Sequence, residues 1–578
     1  MAIVNDLLDR LKQLQSARSP WESHWFDIAR YVLPDAERFD RIFATADRST
    51  AIDTVALEPI AARRGREIYD QTSLWAVDRG AAGTLSLVTP QTTTWHDLTT
   101  DDPFGREPDG IERLWYDALR DYLFRVRSNP RSGFWTAHKS SLRCMWAFGT
   151  SVLFVGQSTR GASSPFSYSF VPISENHLAC NFEGVVDTNF RLFQRSARQC
   201  VEKWGSACSG KVQKMAEDDK DKDRLVDILH AVMPRQEKGG YGNTNRDSPF
   251  ASCYIEVSEK HLIGESGFWE FPYRVDYWQR NTAQPYAEGP IALALADIKS
   301  LNVLAKSALR AAQQHTDPPI IAHATTDGIR LNLNPRAVNY GYMSPQGNAL
   351  AAPLITSQRP DFAEAVLDTK RGQVRTTTYI DLWTAILDSE REQTAYEVSV
   401  KNQERADMIG PVGTSLQTGL SFEIEREIGL LMRMGAFDPG SPLEPPESLQ
   451  GQEIGVRFTS PLDRARRLGE LQGVQNLWAF AAQLAEVRPE VLDKLDPDES
   501  IDFAQEVLGA PERIMVPDDV VAASRGARAD KQNQDEAITR AAAVGEAAGM
   551  AAEGADKLAA SPSAQEMLKR LAAVAQAA

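Results

Sequence analysis

Two stretches of helical periodicity, residues 289–315 and 361–383, bracket a segment that cannot be helical, and no other feature constrains the fold so strongly. Gly289-Pro290 opens the first stretch, where the missing proline N–H is harmless and its fixed φ suits a first turn. Ile291, Leu295, Ile298, Asn302, Ala305, Leu309 and Ala312 then recur at near-heptad spacing, which predicts a rod with one apolar face. At the α-helical rise that rod is roughly 37 Å long. Asp317-Pro318-Pro319 ends it, and residues 318–358 hold enough turn residues to read as a compact β-rich module. Rod, small module and returning rod together predict a hairpin-like protrusion.

The rest of the chain divides by period. Ile3, Leu7, Leu11 and Leu14 predict a first helix. Ser19-Pro20-Trp21-Glu22 predicts a second, with Ser19 as cap, Pro20 in the first turn and Glu22 completing a capping box. Trp21, Trp25, Ile28 and Val32 share its core face, and Pro34 marks its stop. Further helices are expected within 54–90, broken at Pro90, and over 110–127 and 133–148. Between 150 and 280 the pattern changes to β-branched and aromatic strands: SVLFVG, FSYSFVPI, VVDTNFRLFQ, ASCYIEV and EFPYRVDYWQR. A charged insert at 211–224 interrupts them and reads as a solvated helix face.

After the second rod, a charged stretch at 386–393 precedes a capping box at Thr394-Ala395-Tyr396-Glu397 and a helix to about 409, which Gly410-Pro411 is expected to break. Leu416, Leu420, Ile424, Ile428 and Leu431 predict another helix ending near Gly435, EIGVRFTS a strand, and the stretch from Ser460 a further helix. The Ala-rich end, interrupted by Gly545, Gly549 and Gly554, predicts a helical tail with too few large apolar residues for a core of its own.

At 578 residues the chain is too long for one small core, and 42% hydrophobic residues are enough to fill several. No stretch is long and apolar enough for a membrane span, and the charged N-terminus does not read as a signal peptide. Cys144, Cys180, Cys200, Cys208 and Cys253 are scattered, with no C-x-x-C pair, and read as buried thiols in a reducing cytoplasm. Catalytic motifs fail on inspection. GPVGTS (410–415) lacks the lysine of a phosphate loop and follows a helix instead of a strand. GGYGNT (239–244) is too short for a dinucleotide fingerprint. The eight His do not cluster, and neither a zinc-protease nor a nucleophile-elbow motif occurs. Pairs such as Asp101-Asp102 and Asp518-Asp519 carry little information among 79 acidic residues. No cofactor, metal site or catalytic residue is therefore expected.

Several segments together resemble the head-to-tail connector (portal) family of short-tailed bacteriophages. WESHWFDIARYVLP (21–34) looks like its opening Trp-x-x-x-Trp motif, and LSLVTPQTTTWHDL (85–98) is similar to its Thr-Pro helix end. PYAEGPIALALADIKSLNVLAKSAL (285–309) resembles its run into the stem, with Ala287-Glu288 where the family usually has Gly-Arg. TAYEVSVKNQERADMIGPV (394–412) and IGVRFTSPLDRARR (454–467) look like later family motifs. The pieces stay colinear from residue 21 to about 530.

The resemblance implies an α+β, mostly helical portal fold, without enzymatic activity, closed into a ring of about twelve copies by a heterologous interface. It implies a wing over 1–288, stem helices over 289–315 and 359–384, a clip over 316–358, a tunnel loop over 385–394, a wing return over 395–510 and a C-terminal crown over 511–578. The expected setting is the portal vertex of the virion, reached through the host cytoplasm. The expected partners are further copies, double-stranded DNA, the terminase large subunit, scaffolding protein, major capsid protein and a tail adaptor or head-completion protein, with no membrane. Lys299, Lys306 and Arg310 on the first rod, with Asp388, Glu390, Arg391 and Glu392 in the charged stretch, are the candidate channel residues. Intersubunit salt bridges are the competing role for the three cations. Two rivals remain: another virion component, such as a tail adaptor or internal protein, and a carbohydrate-active enzyme suggested by acidic and Trp content.

Overall fold

The computed structural model describes residues 2–33, 68–102, 108–158, 164–235, 247–281, 284–316, 320–322, 343–344, 346–353, 360–381, 395–486, 488–508, 514–516, 518–559, 566 and 569–570. The chain is mixed α+β and mostly helical. It divides into two compact units, residues 1–470 and 471–578.

The first unit begins with one helix, α1 (Ala2–Tyr31), where the sequence predicts two. Ser19 is inside it and caps nothing, and Pro20 is an internal residue. Contacts on both sides of the proline hold the helix together. The buried Arg18 pairs with Glu22 one turn on, at 2.6 Å, and reaches the carbonyls of Ser174 and Asn176 at 3.1 and 2.6 Å. The first half buries Val4, Leu7, Leu8, Leu11 and Leu14. Ile3, assigned to that face from its spacing, is exposed. Trp25, Ile28 and Val32 enter the main core as expected.

Helices α2 (Thr72–Val88), α3 (Gly110–Ser128) and α4 (Phe134–Phe148) follow, with strand β1 (His96–Thr100) between the first two. Asp109 and Glu112 form a capping box on α3. A three-stranded sheet combines β2 (Thr150–Gln157), β3 (Phe166–Val171) and β9 (Tyr273–Tyr277), with β2 central. A five-stranded antiparallel meander runs β4 (Asn176–Cys180), β5 (Val186–Ser196), β6 (Leu225–Pro234), β7 (Phe250–Glu256) and β8 (His261–Phe268). The strand patterns read from sequence locate β2, β3, β5, β7 and β9 but miss β4, β6 and β8. Strand β8, HLIGESGF, has two glycines and little alternation.

Alternation along β5 and β6 divides the five-stranded sheet between two partners. Phe190, Leu229, Ala231 and Ile255 face the first half of α1. Phe193, Val226 and Ile228 face α5 (Ala197–Trp204) and α6 (Gly210–Glu217). The charged insert thus supplies a short helix whose Val212 is buried, followed by a turn.

Helix α7 (Pro290–Thr316) fills the first rod and α8 (Pro360–Thr377) most of the second, and the two pack together. The apolar stripe is buried at Ile291, Leu295, Ile298, Asn302 and Ala305, but Leu309 and Ala312 are exposed, because the far end of the rod leaves the core. Between the rods, β10 (Ile320–Ala322) pairs antiparallel with β11 (Ala351–Pro353). The charged stretch 386–393 and Thr394 of the expected capping box lie outside the described residues.

Helix α9 (Ala395–Arg433) corrects a second expectation, since it runs through Gly410-Pro411 without ending. Burial of Ile409, Val412, Leu416, Leu420 and Ile424 along one face offsets the hydrogen bond the proline cannot donate. It stops near Gly435, whose φ is +74°. Strand β12 (Ile454–Phe458) then returns to pair with β1, joining His96 to Phe458 and Thr100 to Ile454. Helix α10 (Pro461–Ala485) starts in the first unit and ends in the second. The second unit continues with α11 (Pro497–Leu508) and α12 (Asp518–Ala559). Trp478 donates to Ser500 at 3.0 Å, and Arg525 pairs with Asp498 at 2.7 Å.

Candidate functional site

Helices α7 and α8 pack on each other, and their root, where they meet the rest of the first unit, is built from polar residues. The run Asp297 to Asn302 on α7 supplies three of them. Asp297 accepts from Lys370 on α8 at 2.9 Å, and Lys299 donates to Asp27 on α1 at 2.5 Å. Asn302, buried in the apolar stripe, accepts from the backbone N–H groups of Tyr69 and Asp70 at 2.7 and 3.2 Å. Asp70 also accepts from Arg371 on α8 at 2.8 Å, and hydrogen bonds from Thr72 and Arg371 outweigh its burial and lower its pKa. Both helices are thereby tied to the segment that opens α2.

The hairpin enters the core through a close backbone crossing. Gly149, with φ +81°, ends α4, and its carbonyl accepts from Trp278 N–H at 2.9 Å. A methyl group on Gly149 would overlap the Glu288–Gly289 peptide and the Ala287 carbonyl, and one on Gly289 would press on the Met145 and Trp146 carbonyls. Only glycine fits at either position. Ala287 N–H donates to Thr150 Oγ1 at 2.8 Å, and Tyr286 Oη accepts from Leu178 N–H at 3.0 Å while its ring meets Trp25 edge-on at 5.1 Å.

Beneath this root lies a buried ionic cluster on α9. Glu427 takes Arg127 Nε at 3.1 Å and Nη2 at 2.5 Å, and the Tyr168 hydroxyl at 2.5 Å. Arg127 lies 5.0 Å from the Trp95 ring centroid. Glu423 takes Arg274 at 2.6 Å and faces His138 Nε2 at 3.2 Å, while Arg274 also holds Asp276 at 2.8 Å. Burial raises the Glu423 pKa, but His138 and Arg274 outweigh it and bring it to about 2. Burial above all lowers the His138 pKa, and the neighbouring Glu423 does not restore it to the usual value. Arg426 reaches the Val155 carbonyl at 2.8 Å and the Glu270 carbonyl at 3.0 Å. These groups are sealed and satisfied by one another, so they can hold α3, α4 and β9 on α9 but cannot meet a substrate. Among the described residues no group of three or more His, Cys, Asp or Glu could hold a metal ion. No helix of the described residues is long and apolar enough to cross a membrane.

The structure separates the sequence-derived candidates. Lys299 is paired with Asp27 of its own chain. The Lys306 ammonium lies 5.3 Å from the Tyr69 ring centroid, a cation–π contact. Arg310 is exposed, and among the described residues no carboxylate pairs with it. Asp388, Glu390, Arg391 and Glu392 lie outside the described residues. Sequence reasoning missed Asp297, Asp27 and Asp70 as root residues. Asn302 carried the available signal, a lone amide on an apolar stripe.

The segments that carried the resemblance make these contacts: Trp21 and Trp25 pack on Tyr286, and Ser460 caps α10 while Asp463, three residues on, accepts from Ser460 Oγ at 2.6 Å and from Gln417 of α9 at 2.8 Å. The family model described as bacteriophage head to tail connecting protein matches residues 4–516. The chain belongs to this family. Connector-family relatives cover it nearly end to end. The portal protein of Salmonella phage epsilon15 is 28% identical over 555 residues, 95% of this chain and 94% of that protein. The probable portal protein of Bordetella phage BPP-1 is 26% identical over 553 residues, with the same coverage of 95% and 94%. A chain from a solved neck of an empty GTA particle, 10% identical, overlays on 76% of this chain and 90% of its own length at a TM-score of 0.33, too low to transfer its architecture. Connectors are structural parts of the phage particle, and the sealed ionic cluster is of a kind that stabilises instead of reacting.

Proposed function

We propose that this connector-family chain forms a ring of about twelve copies at one capsid vertex, the channel through which double-stranded DNA is packaged and ejected. The observation that carries the reading is the hairpin α7/α8, two long helices fixed at the root and tipped by a short β pair, in a chain related to portal proteins. Repeated around an axis, such hairpins surround a bore, as the stem (289–315 and 359–384), with the β-tipped segment as clip (316–358). The wing is then 1–288 with its return over 395–510, the tunnel loop 385–394 and the crown 511–578. Terminase docks on the clip during packaging and a tail adaptor afterwards, while scaffolding protein and major capsid protein flank the wing. Assembly takes place in the host cytoplasm.

Charge supports a conduit more than a grip. At −16 per copy, twelve copies carry roughly −190, a field that repels phosphate and keeps DNA sliding. Arg310, exposed near the far end of α7, suits a transient phosphate contact better than Lys299, which is occupied by Asp27. On this reading Asp388, Glu390, Arg391 and Glu392, which follow the second rod in the sequence, belong to the constriction.

Mass photometry of the purified chain, followed by negative-stain imaging of its main peak, tests the reading. The expected outcome is a species near twelve subunits with a central hole. A monomer at every concentration, or a closed particle without a channel, overturns it.

A further inference from the structure

The helix-covered side of the five-stranded sheet carries a cation cluster at its edge, in an otherwise acidic chain. Arg191, Phe193 and Arg195 alternate onto one face of β5, the face that α5 and α6 cover. The Arg191 and Arg195 guanidiniums lie 4.7 and 5.0 Å from the Phe193 ring centroid. The exposed Lys203, at the end of α5, sits 4.8 Å from the Trp204 ring and 5.1 Å from the Tyr254 ring. Glu175 answers Arg191 at 2.9 Å, but among the described residues no carboxylate pairs with Lys203. Part-exposed Trp204 and Tyr254 give the cluster an aromatic floor.

The turn joining β4 to β5 has the opposite character. Phe182 at its tip is 105% exposed, Val185 is 43% exposed, and Glu183 between them is exposed as well. The turn is rigid. Asn181 Oδ1 accepts from Glu183 N–H at 3.0 Å and from Val185 N–H at 2.9 Å, Asn181 N–H donates to the Val185 carbonyl at 2.8 Å, and Arg280 clamps the Gly184 carbonyl. A large apolar ring held out in water on an ordered turn is prepaid for burial against another surface. The start of β5 lies about 30 Å from Arg195 at the strand rise, so knob and cluster occupy different ends of one strand.

We propose that the Phe182–Glu183 knob of one copy docks on the Lys203–Trp204–Tyr254 face of the next, as part of a heterologous contact that closes a ring. This rests on the ring reading above and assigns one of its interfaces. The Phe182 ring meets the aromatic floor and the Glu183 carboxylate neutralises Lys203. Two unlike patches on one chain make a head-to-tail contact, the type that propagates around an axis. Nucleic acid is the weaker occupant, since the cluster is compact where phosphate binding needs several spaced cations and the chain as a whole carries −16.

The test compares the full chain with Phe182→Ala, Glu183→Lys, Lys203→Glu and the double variant Glu183→Lys/Lys203→Glu by mass photometry over a dilution series. All three side chains are exposed, so folding is expected to be unchanged, with circular dichroism as the check. Each single variant is expected to raise the concentration of half-assembly at least tenfold, and the charge-swapped double to recover most of it. A second readout uses zero-length carbodiimide coupling in a mixture of isotope-labelled and unlabelled rings. The expected product joins Glu183 of one copy to Lys203 of another as a mixed-label peptide. Wild-type rings with single variants that assemble within twofold, or with no mixed-label link, overturn the docking while leaving the ring intact. Absence of wild-type rings removes both.

Discussion

Glu427 is fully buried and shares its oxygens between Arg127 and Tyr168, so removing it strands a buried guanidinium. Glu427→Ala is expected to destabilise the first unit by about 3–5 kcal/mol, and Tyr168→Phe by about 1.5–3 kcal/mol, read from urea denaturation. His230 sets a pH dependence. It donates to or accepts from Tyr273 Oη at 2.7 Å and Ser252 Oγ at 2.9 Å and stacks on Tyr254 at 4.1 Å. Burial, and then Arg191 and Lys203, push its pKa down to about 3. Its folded pKa therefore lies below the unfolded value of about 6.5, and the unfolded chain binds the extra proton between them. Stability should fall as pH drops from about 6.5 to about 3, by up to roughly 5 kcal/mol from this residue. His230→Phe is expected to lower stability at pH 7 and flatten that acid limb in pH-dependent denaturation.

Proline is a local signal that two helices override. Pro20 sits inside α1 and Pro411 inside α9 because side chains on either side of each are anchored in the core. Glycine is the more decisive residue at the element scale. Gly149 allows the turn from α4 into β2 to pass under the peptide that starts α7. Gly149→Ala combines a left-handed φ with backbone overlap. It is expected to cost at least about 3 kcal/mol, or to leave the chain insoluble, whereas Gly210→Ala, with open space around it, is expected to stay within about 1 kcal/mol. Thermal melts of the two variants side by side distinguish this crossing from a general glycine effect.

At the scale of the whole molecule, the apolar clusters described in the first unit are built from residues between Val4 and Ala465. Removal of 518–578 is therefore expected to leave the first unit's denaturation midpoint within about 0.5 kcal/mol of the full chain, as measured by urea titration. A larger loss would mean that the tail helix supports the core. The net −16 belongs to the same scale: it acts through the summed field of an assembly, and no single ion pair expresses it.

Local order was legible in the sequence because it is written locally. The 3.6-residue period gave the helices at 110–127 and 133–148 and the apolar face of α9, and the colinear motifs pointed to the connector family that the family match over residues 4–516 establishes. Partner choice was decided only by the tertiary structure. Nothing near His96 indicates that its strand pairs with Phe458, and nothing near Lys299 indicates that Asp27 neutralises it. The physical reason is range: periodicity is a property of neighbouring residues, whereas the environment of a charge is set by whichever distant segments pack around it. The same difference explains why Pro20 and Pro411 read as breaks, since only packing could supply the compensating contacts.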